Sequence, residues 1–476
     1  MISRVLWPAG ILLAAYFLYF SGLAGVGLLS VDEPRYAWIG RAMAESGDWI
    51  SPRLYSEPWL EKPPLLYWLI AAGWKLGFRD EMAARFPIAV SALLFLAVFW
   101  WSLLREFGEE VAGRATAILS TAGGWLLYSH VAVTDIPLAA TFGSAMLFAW
   151  RGQLLLAGLA MGLAVLAKGL VPVALGLPVL WWHRRRLGAL ILPVALMLAV
   201  AAPWYILCYQ RHGRALIDEL IVRHHFARFF DAKAQVLHPQ PVWFYLPVLI
   251  GLLLPWSPLF AALRPRRLWV EKEPARFFLV WLAFGFAVFS ASAGKLPGYL
   301  LPLLPPAAAL LALALTDSAY PRLWLSAVIA VAAALYAAPN EKLLAAVIDS
   351  DGSPFFTNWG WVGLTAGLLF GLLLAAKSFL RAYATVALLM ASLLVWAVPV
   401  ADRHTARPYA RMSPEICAEP SLHRAWRYGF NYYAQTPVPE CNDNPPRRRW
   451  HASSDGWLYL RDASADPVPA PAVPRK

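Results

Sequence analysis

Charged residues are scarce in this chain: Asp, Glu, Lys and Arg make up 15% of its 476 residues, whereas a soluble domain carries about 25%. Hydrophobic residues replace them, at 59% of the chain, and they fall in continuous runs. These runs do not alternate as barrel strands do, so they indicate helices whose backbone groups are bonded internally. The composition excludes an ordinary soluble globular protein and predicts an all-α, polytopic integral membrane protein.

Cysteine is also rare, with three residues in the chain: Cys208, Cys417 and Cys441. Their spacing does not match that of a metal site. Cys417 and Cys441 both lie in the polar tail. If that tail is outside the cytoplasm, the two thiols are able to form a disulfide.

Acidic residues are outnumbered by basic ones, which gives a formal net charge of +12. The Lys and Arg residues stand in short clusters between apolar runs, such as His183–Arg186 and Arg264–Arg267. This arrangement is typical of cytoplasmic loops that obey the positive-inside rule. The basic charge therefore indicates membrane topology and contact with lipid headgroups, and no nucleic-acid partner is predicted.

Long apolar runs follow one another along the chain. Because a span needs about 20 apolar residues, we predict about thirteen spans, the first of them an uncleaved N-terminal one. The predicted spans are Val5–Leu29, Ala83–Leu104, Val111–His130, Ile136–Trp150, Leu154–Lys168, Leu170–Trp182, Leu187–Leu207, Val242–Leu263, Phe277–Ala293, Leu300–Leu315, Leu323–Ala338, Trp359–Ala376 and Tyr383–Val400. Leu154–Trp182 is alternatively one long helix, which would invert the topology downstream.

The charge clusters favour a cytoplasmic N-terminus and two spans within Leu154–Trp182. The outer segments are then Ser30–Met82, Tyr209–Pro241, Gly294–Tyr299, Pro339–Asn358 and the tail from Ala401. We predict a membrane module over residues 1–400, with interfacial helices in the loop 30–82. Residues 401–476 form a small periplasmic C-terminal region whose Pro-rich end is disordered.

Ionisable residues in the outer loops form the strongest motif, Asp32-Glu33-Pro34-Arg35-Tyr36. Pro34 should restrict Glu33 to an extended conformation, so that the two carboxylates diverge. A carboxylate near low dielectric needs a partner, and Arg35 is the obvious one. The motif is either a general base or metal ligand at the membrane surface, or an interfacial helix cap.

Further candidates lie on the same predicted face. Glu61 and Lys62 precede a double proline, which should hold them on an extended segment, and Asp135 lies at the edge of a span. A solvated ion pair and a helix N-cap are the plain alternatives. Lys168 and Lys295 are each a single cation at the outer end of an apolar run. Snorkelling of the side chain to the membrane surface is the plain explanation for both. The loop histidines are metal-ligand candidates without diagnostic spacing: His224, His225 and His238.

Carboxylates and cations that converge at headgroup depth suit a substrate with a lipid tail and a phosphate head. The cations would stabilise a phosphate leaving group, and a carboxylate would orient or deprotonate an acceptor. This constellation points more to an enzyme than to a transporter, which should place its charges near the bilayer midplane on broken or repeated helices.

Several motifs, in order along the first two-thirds of the chain, resemble a known family. They are the Asp32–Tyr36 motif, Gly47–Leu54, Glu61–Trp68, Ala84–Pro87, Thr134–Leu138, Leu166–Gly169, Pro241–Pro247, Leu254–Trp256 and Lys295–Pro302. They are similar to those of the aminoarabinose lipid A transferase (ArnT) group of GT-C glycosyltransferases, which is related to protein O-mannosyltransferases. Two features depart from the family pattern: Trp59 stands where a Tyr is frequent, and the tail from Ala401 shows no match.

The resemblance implies an inner-membrane enzyme that inverts a sugar carbon. It would move a sugar, such as 4-amino-4-deoxy-L-arabinose, from an undecaprenyl-type polyprenyl-phosphate donor to lipid A or another envelope acceptor. A different lipid, glycan or protein acceptor is the alternative, as is a flippase. The resemblance implies Asp32 and Asp135 as essential acids, Glu61 as a contact to a divalent metal, and four groups around the donor phosphate: Arg35, Lys62, Lys168 and Tyr299. The residue pattern adds Glu33 as a further catalytic candidate, Tyr36 and Lys295 at the donor phosphate, and His225 as a metal ligand.

Overall fold

The computed structural model describes residues 13–226, 239–292, 294–337, 378–402, 405–410, 417–418, 422–440, 448–452 and 458–462. Helices make up most of these residues. The α-helices are α1 Asp32–Ser46, α2 Leu65–Lys75, α3 Asp80–Thr121, α4 Gly123–Ser129, α5 Asp135–Trp150, α6 Leu154–Lys168, α7 Val171–Leu175, α8 Leu177–Trp182, α9 Ile191–His212, α10 Arg214–Leu216, α11 Tyr245–Leu252, α12 Pro265–Glu271, α13 Glu273–Ala291, α14 Leu304–Thr316, α15 Pro321–Ala337, α16 Phe379–Asp402, α17 Arg407–Ala410 and α18 Arg424–Ala434.

Short π- and 3-10-helical segments supplement these helices, and five short strands form two small sheets. The other helical segments are Tyr16–Phe20, Leu187–Leu190, Ile217–Phe226, Val242–Phe244, Ser257–Ala262 and Pro297–Leu303. Strands β1 Arg53–Leu54 and β2 Glu57–Pro58 pair antiparallel within the first outer loop. Strands β3 Cys417–Ala418, β4 Arg448–Ala452 and β5 Leu458–Asp462 form the second sheet, in the order β3-β4-β5.

Four helical segments of the described residues are long and apolar enough to cross a bilayer: Asp80–Thr121, Leu187–His212, Glu273–Ala291 and Pro297–Thr316. Shorter apolar helices accompany them, including α6 and the Val171–Trp182 segment. The predicted span Trp359–Ala376 lies outside the described residues. The apolar helical character of the chain is thus confirmed, while the count of about thirteen spans stays a prediction.

Two glycines interrupt helices at boundaries between predicted spans. Gly108, with φ 79°, breaks α3 between the predicted spans Ala83–Leu104 and Val111–His130. Gly169, with φ 65°, ends α6 after Lys168. Glycine populates positive φ without a steric cost, so both positions allow the chain to leave a helix sharply. The alternative of one long helix over Leu154–Trp182 is therefore wrong.

Two predicted spans differ from the structure. Val5–Leu29 does not remain helical to its end, because residues 21–31 form turns and bends. Val242–Leu263 is also interrupted, since α11 ends at Leu252 and a 3-10 segment begins at Ser257. Pro255 lies in this gap and cannot donate a backbone hydrogen bond, which explains why a single helix does not form.

The first outer loop is helical, as predicted, with α1 and α2 packed against each other. Gly40 permits this close approach, because a Cβ there would lie 2.5 Å from the Ile70 side chain. The expected extended conformation at Glu33 is wrong: Asp32 and Glu33 both lie in the first turn of α1. Pro34 is tolerated there because the N–H groups of a first helical turn have no intrahelical acceptor. Pro64 is not extended either (φ −85°, ψ −9°) and caps α2.

A buried ion pair fixes the entry into α1. Glu33 is 0% exposed and receives two hydrogen bonds of 2.7 Å from the Arg85 guanidinium. Arg85 also donates to the carbonyl oxygens of Leu23, Val26 and Gly27 at 2.6–2.8 Å. The carbonyl groups of the non-helical segment before α1 thus obtain a hydrogen-bond donor from a side chain of α3, as buried backbone groups require.

A second arginine, Arg407 from the C-terminal region, binds the same segment. It donates to the carbonyl oxygens of Ala24 and Gly25 at 2.7 and 2.6 Å, and it pairs with Asp402 at 2.7 Å. The Asp402 carboxylate in turn accepts from the Gly27 N–H at 2.8 Å. The C-terminal region is therefore fastened to the segment before α1 by these polar contacts.

The cysteines agree with an oxidising environment for this region. Cys417 is disulfide-bonded, while Cys208 is a free, buried thiol. Cys441, the partner that the sequence predicts, lies outside the described residues.

Replacing Arg85 by leucine should destabilise the protein strongly. The substitution leaves the buried Glu33 carboxylate without its cation, and losing one partner of a buried pair costs roughly 3–5 kcal/mol. Thermal unfolding of the purified protein in detergent measures the effect. Arg105→Leu, at an exposed position of the same helix, is the matched control and should melt near the wild type. Equal melting temperatures for the two variants would contradict the structural role of Arg85.

Candidate functional site

Four of the predicted site residues meet at the N-terminal end of α1. Arg35, which is 9% exposed, is paired with the Asp32 carboxylate. Its Nη1 atom lies 3.8 Å from the Glu61 carboxylate, and Glu61 pairs with Lys62 at 2.9 Å. Asp32 is the most accessible of the four, with 42% of its side chain exposed. Two carboxylates and two cations thus alternate in one cluster, as the sequence predicts.

Aromatic rings surround the Arg35 guanidinium. Its central carbon lies 5.0 Å from the ring centre of Trp59, 5.2 Å from that of Tyr428 and 5.9 Å from that of Tyr36. Burial lowers the pKa of Arg35, but the charges of Asp32 and Glu61 outweigh burial and raise it above its usual value. The Arg35 guanidinium therefore keeps its positive charge, and aromatic rings surround it.

Tyr36 is buried behind this cluster, at 3% exposure, with its ring 5.7 Å from that of Tyr67. Burial and the nearby charge of Asp32 raise the pKa of Tyr36 well above its usual value. Its hydroxyl is therefore neutral at physiological pH.

A second cluster forms where α5 begins and α6 ends. Asp135, in the first turn of α5, pairs with Lys168 at 2.9 Å, and both side chains are 14% exposed. The Lys168 ammonium lies 4.3 Å from the ring centre of Tyr299, within cation–π range. The structure thus brings three further predicted residues together.

Glu33 is buried, and its hydrogen bonds link the chain segments that carry the two clusters. Its Oε1 atom accepts a hydrogen bond of 2.8 Å from the Ala132 N–H, in the loop that leads to Asp135. Its Oε2 atom accepts one of 2.6 Å from the Leu29 N–H, in addition to the two bonds from Arg85. A carboxylate has about four acceptor positions, and all are used here. The geometry gives Glu33 a structural role and leaves no acceptor position for the catalysis that the sequence suggested.

Lys295 is likewise engaged with the protein. It is 3% exposed and donates to the carbonyl oxygens of Gln240, at 3.0 Å, and Ser292. The residue fixes the approach to the Pro297–Leu303 turn, which carries Tyr299. Lys295 therefore helps to hold this turn in place.

The expected divalent metal stays a prediction. No group of three His, Cys, Asp or Glu side chains with metal-binding geometry occurs among them. Glu61 already lies beside two cations, Lys62 and Arg35, which would repel a dication. The side chain of His225, the other predicted ligand, is outside the part of the chain that the structure describes.

Sequence reasoning missed two residues of this region. Arg85 was visible as part of a motif, but its pairing with Glu33 depends on how α3 packs. Tyr428, on α18 of the C-terminal region, lies beside Arg35 although the two are far apart in the chain. No pattern in the sequence links residues so distant.

The arrangement is suited to binding an anion next to carboxylates, of which Asp32 is accessible. Arg35, Lys62 and Lys168 supply positive charge, and Asp32 and Asp135 each stand beside one of them. Cations placed where negative charge develops are the usual means of stabilising a leaving phosphate. A carboxylate at the same place can orient a second reactant.

Comparisons with known proteins agree with a site that binds a lipid phosphate. Residues 10–217 match the family described as dolichyl-phosphate-mannose-protein mannosyltransferase. An undecaprenyl phosphate-α-4-amino-4-deoxy-L-arabinose arabinosyl transferase from Pseudomonas aeruginosa is 34% identical over 67% of this chain and 61% of its own length. A Pseudomonas fluorescens relative of that description, numbered 2, is 33% identical over 65% of this chain and 56% of its own length. The chain thus spans less than two-thirds of these relatives.

The fold has a counterpart among solved structures. The crystal structure of ArnT from Cupriavidus metallidurans bound to undecaprenyl phosphate superposes with a TM-score of 0.72 at 26% identity. The match covers 92% of this chain and 86% of that one. Its apo form gives a TM-score of 0.74. The resemblance to ArnT-like GT-C glycosyltransferases is confirmed, both in sequence and in a helical membrane-protein fold.

Gly298→Ala should displace the turn that carries Tyr299. A Cβ at Gly298 would lie 2.7 Å from a ring carbon of Tyr128 and 2.9 Å from its hydroxyl. Overpacking of this kind costs about 1–3 kcal/mol, so the melting temperature should fall. Gly251→Ala, where a Cβ meets open space, is the control. A Gly298→Ala variant as stable as the control would contradict the tight Tyr128 contact.

Proposed function

We propose that this protein is an inverting glycosyltransferase that uses a polyprenyl-phosphate sugar as donor. Its acceptor is lipid A or a related envelope molecule. The observation that carries the proposal is the pair of carboxylate–cation clusters held side by side by Glu33. The similarity to relatives described as undecaprenyl phosphate-aminoarabinose transferases, and to a structure with bound undecaprenyl phosphate, supports the donor class.

The reaction balances with the groups present. An oxygen of the acceptor attacks the anomeric carbon from the face opposite the donor phosphate. The bond between that carbon and the phosphate oxygen breaks, and its electron pair leaves on the polyprenyl phosphate. Arg35, Lys62 and Lys168 bind the phosphate and stabilise the charge that develops on it. The attack from the opposite face inverts the sugar carbon.

The acceptor decides what Asp32 does. A lipid A phosphate is already ionised, so a strong base is not needed and Asp32 orients the acceptor. A hydroxyl acceptor would instead have to transfer its proton to a carboxylate. Asp32 is exposed enough to reach an acceptor, and Asp135 holds Lys168 beside Tyr299. Glu33 is not part of this set, because its acceptor positions are used within the protein.

The proposed topology follows from the charge pattern. The protein lies in the bacterial inner membrane with about thirteen spans, its N-terminus in the cytoplasm and its site on the periplasmic face. Residues 1–400 form the membrane module, with α1 and α2 at the membrane interface. Residues 401–476 form a small periplasmic region. The disulfide at Cys417 supports this placement.

Purified protein in detergent should transfer label from a radiolabelled polyprenyl-phosphate aminoarabinose donor to lipid A. Asp32→Asn should lower kcat/KM by at least about 100-fold, the usual range for loss of an acid–base or orienting group. Asp317→Asn is the matched control, because Asp317 also forms an ion pair, with Lys272 at 2.8 Å, on the predicted cytoplasmic side. It should leave the rate unchanged.

The alternatives give different results in the same assay. If the protein transfers another polyprenyl-linked sugar, or transfers the sugar to another acceptor, the proposed reaction class stands and the proposed substrate is wrong. A folded protein that transfers none of these sugars but moves the donor across a vesicle membrane would be a flippase, and the proposal would be wrong.

A further inference from the structure

The C-terminal region contributes a side chain to the Arg35 cluster. The ring centre of Tyr428 lies 5.2 Å from the central carbon of the Arg35 guanidinium, about as close as that of Trp59, at 5.0 Å. Arg35 is 9% exposed, so these contacts are made in a largely desolvated setting, where cation–π contacts are strongest. Tyr428 therefore bears directly on the group that we assign to the donor phosphate.

Helix α18 carries Tyr428, and polar side chains in the turn after Tyr428 fasten this helix to other parts of the protein. Asn431 donates to the Tyr55 hydroxyl at 2.6 Å, within the first outer loop. The Tyr433 hydroxyl donates to Glu81 at 2.6 Å and accepts from the Leu28 N–H at 2.8 Å. Because both contacts are long-range and lie within five residues of Tyr428, they fix the helix that carries the ring against the start of the chain and the first outer loop.

The hydrogen bonds of Arg35 leave one nitrogen available. Its Nε atom donates to the Val31 carbonyl oxygen at 3.0 Å, and Nη2 is bonded to Asp32. Nη1 lies 3.8 Å from Glu61, which is too long for a hydrogen bond. Aromatic rings over the guanidinium fix its plane without using this nitrogen.

We propose that Tyr428 is a positioning residue, whose ring fixes the Arg35 guanidinium so that Nη1 is free to bind a phosphate oxygen of the donor. The C-terminal region is then part of the donor site. This inference rests on the proposed function, because it assumes that Arg35 binds the donor phosphate.

Binding of undecaprenyl phosphate to the purified full-length protein tests the proposal. Tyr428→Leu removes the ring and should weaken binding by about tenfold, as expected for a desolvated cation–π contact. Tyr428→Phe keeps the ring and should restore binding to within about threefold of the wild type. Arg424→Ala, at an exposed position of the same helix, should bind as the wild type does.

A double-mutant cycle separates positioning from general damage to the fold. In an Arg35→Ala background, Tyr428→Leu should cause no further loss of binding, because the two residues act through one contact. If Tyr428→Leu melts well below the wild type, Tyr428→Met repeats the cycle with a side chain that fills more of the space.

The outcomes are distinguishable. Wild-type binding by Tyr428→Leu, or an equal loss with and without Arg35, would overturn the role of Tyr428 and leave the proposed function intact. Failure of the wild type itself to bind undecaprenyl phosphate would overturn the proposed function, and this inference with it. Loss in Tyr428→Leu, recovery in Tyr428→Phe and no additivity would support it.

Discussion

The structure depends on the hydrogen bonds made by the backbone of one non-helical segment, which lies between the helical segment Tyr16–Phe20 and α1. Buried carbonyl and N–H groups that lack partners cost several kcal/mol each in an apolar setting. Five consecutive carbonyl groups, those of residues 23–27, are bound here by Arg85 and Arg407. The N–H groups of residues 27–29 are bound by side chains as well. This arrangement allows the chain to leave a helix and begin α1 at a fixed point.

The candidate site follows from that fixed point. Since Glu33 is held by Arg85 and by the backbone of Ala132, the residues on either side of it are placed with little freedom. Asp32 is directed to the surface and pairs with Arg35, one turn along α1. Asp135, three residues beyond Ala132, comes to the same region. The buried Glu33–Arg85 pair, whose acceptor positions are all used, thus fixes the position of the neighbouring Asp32–Arg35 pair.

Much of this could be predicted from the sequence, because it is local. The outer loop with its helices, the proximity of Asp32 to Arg35, and the pair Glu61–Lys62 follow from spacing and composition. What could not be predicted is which of two adjacent carboxylates is buried. That depends on a partner from α3, and Pro34 misled the prediction because its restriction on Glu33 is weak at a helix start. Tyr428 could not be predicted for the same reason, because only tertiary packing brings it next to Arg35.

The contacts that Arg407 and Asp402 make with the segment before α1 have a consequence for protein synthesis. A chain grows from its N-terminus, and its early parts are able to fold before the later parts exist. The carbonyls of Ala24 and Gly25 and the N–H of Gly27 have no partners from the tail until Arg407 and Asp402 leave the ribosome. The segment before α1 therefore lacks these partners for most of translation, and its full set of hydrogen bonds depends on residues that are made last.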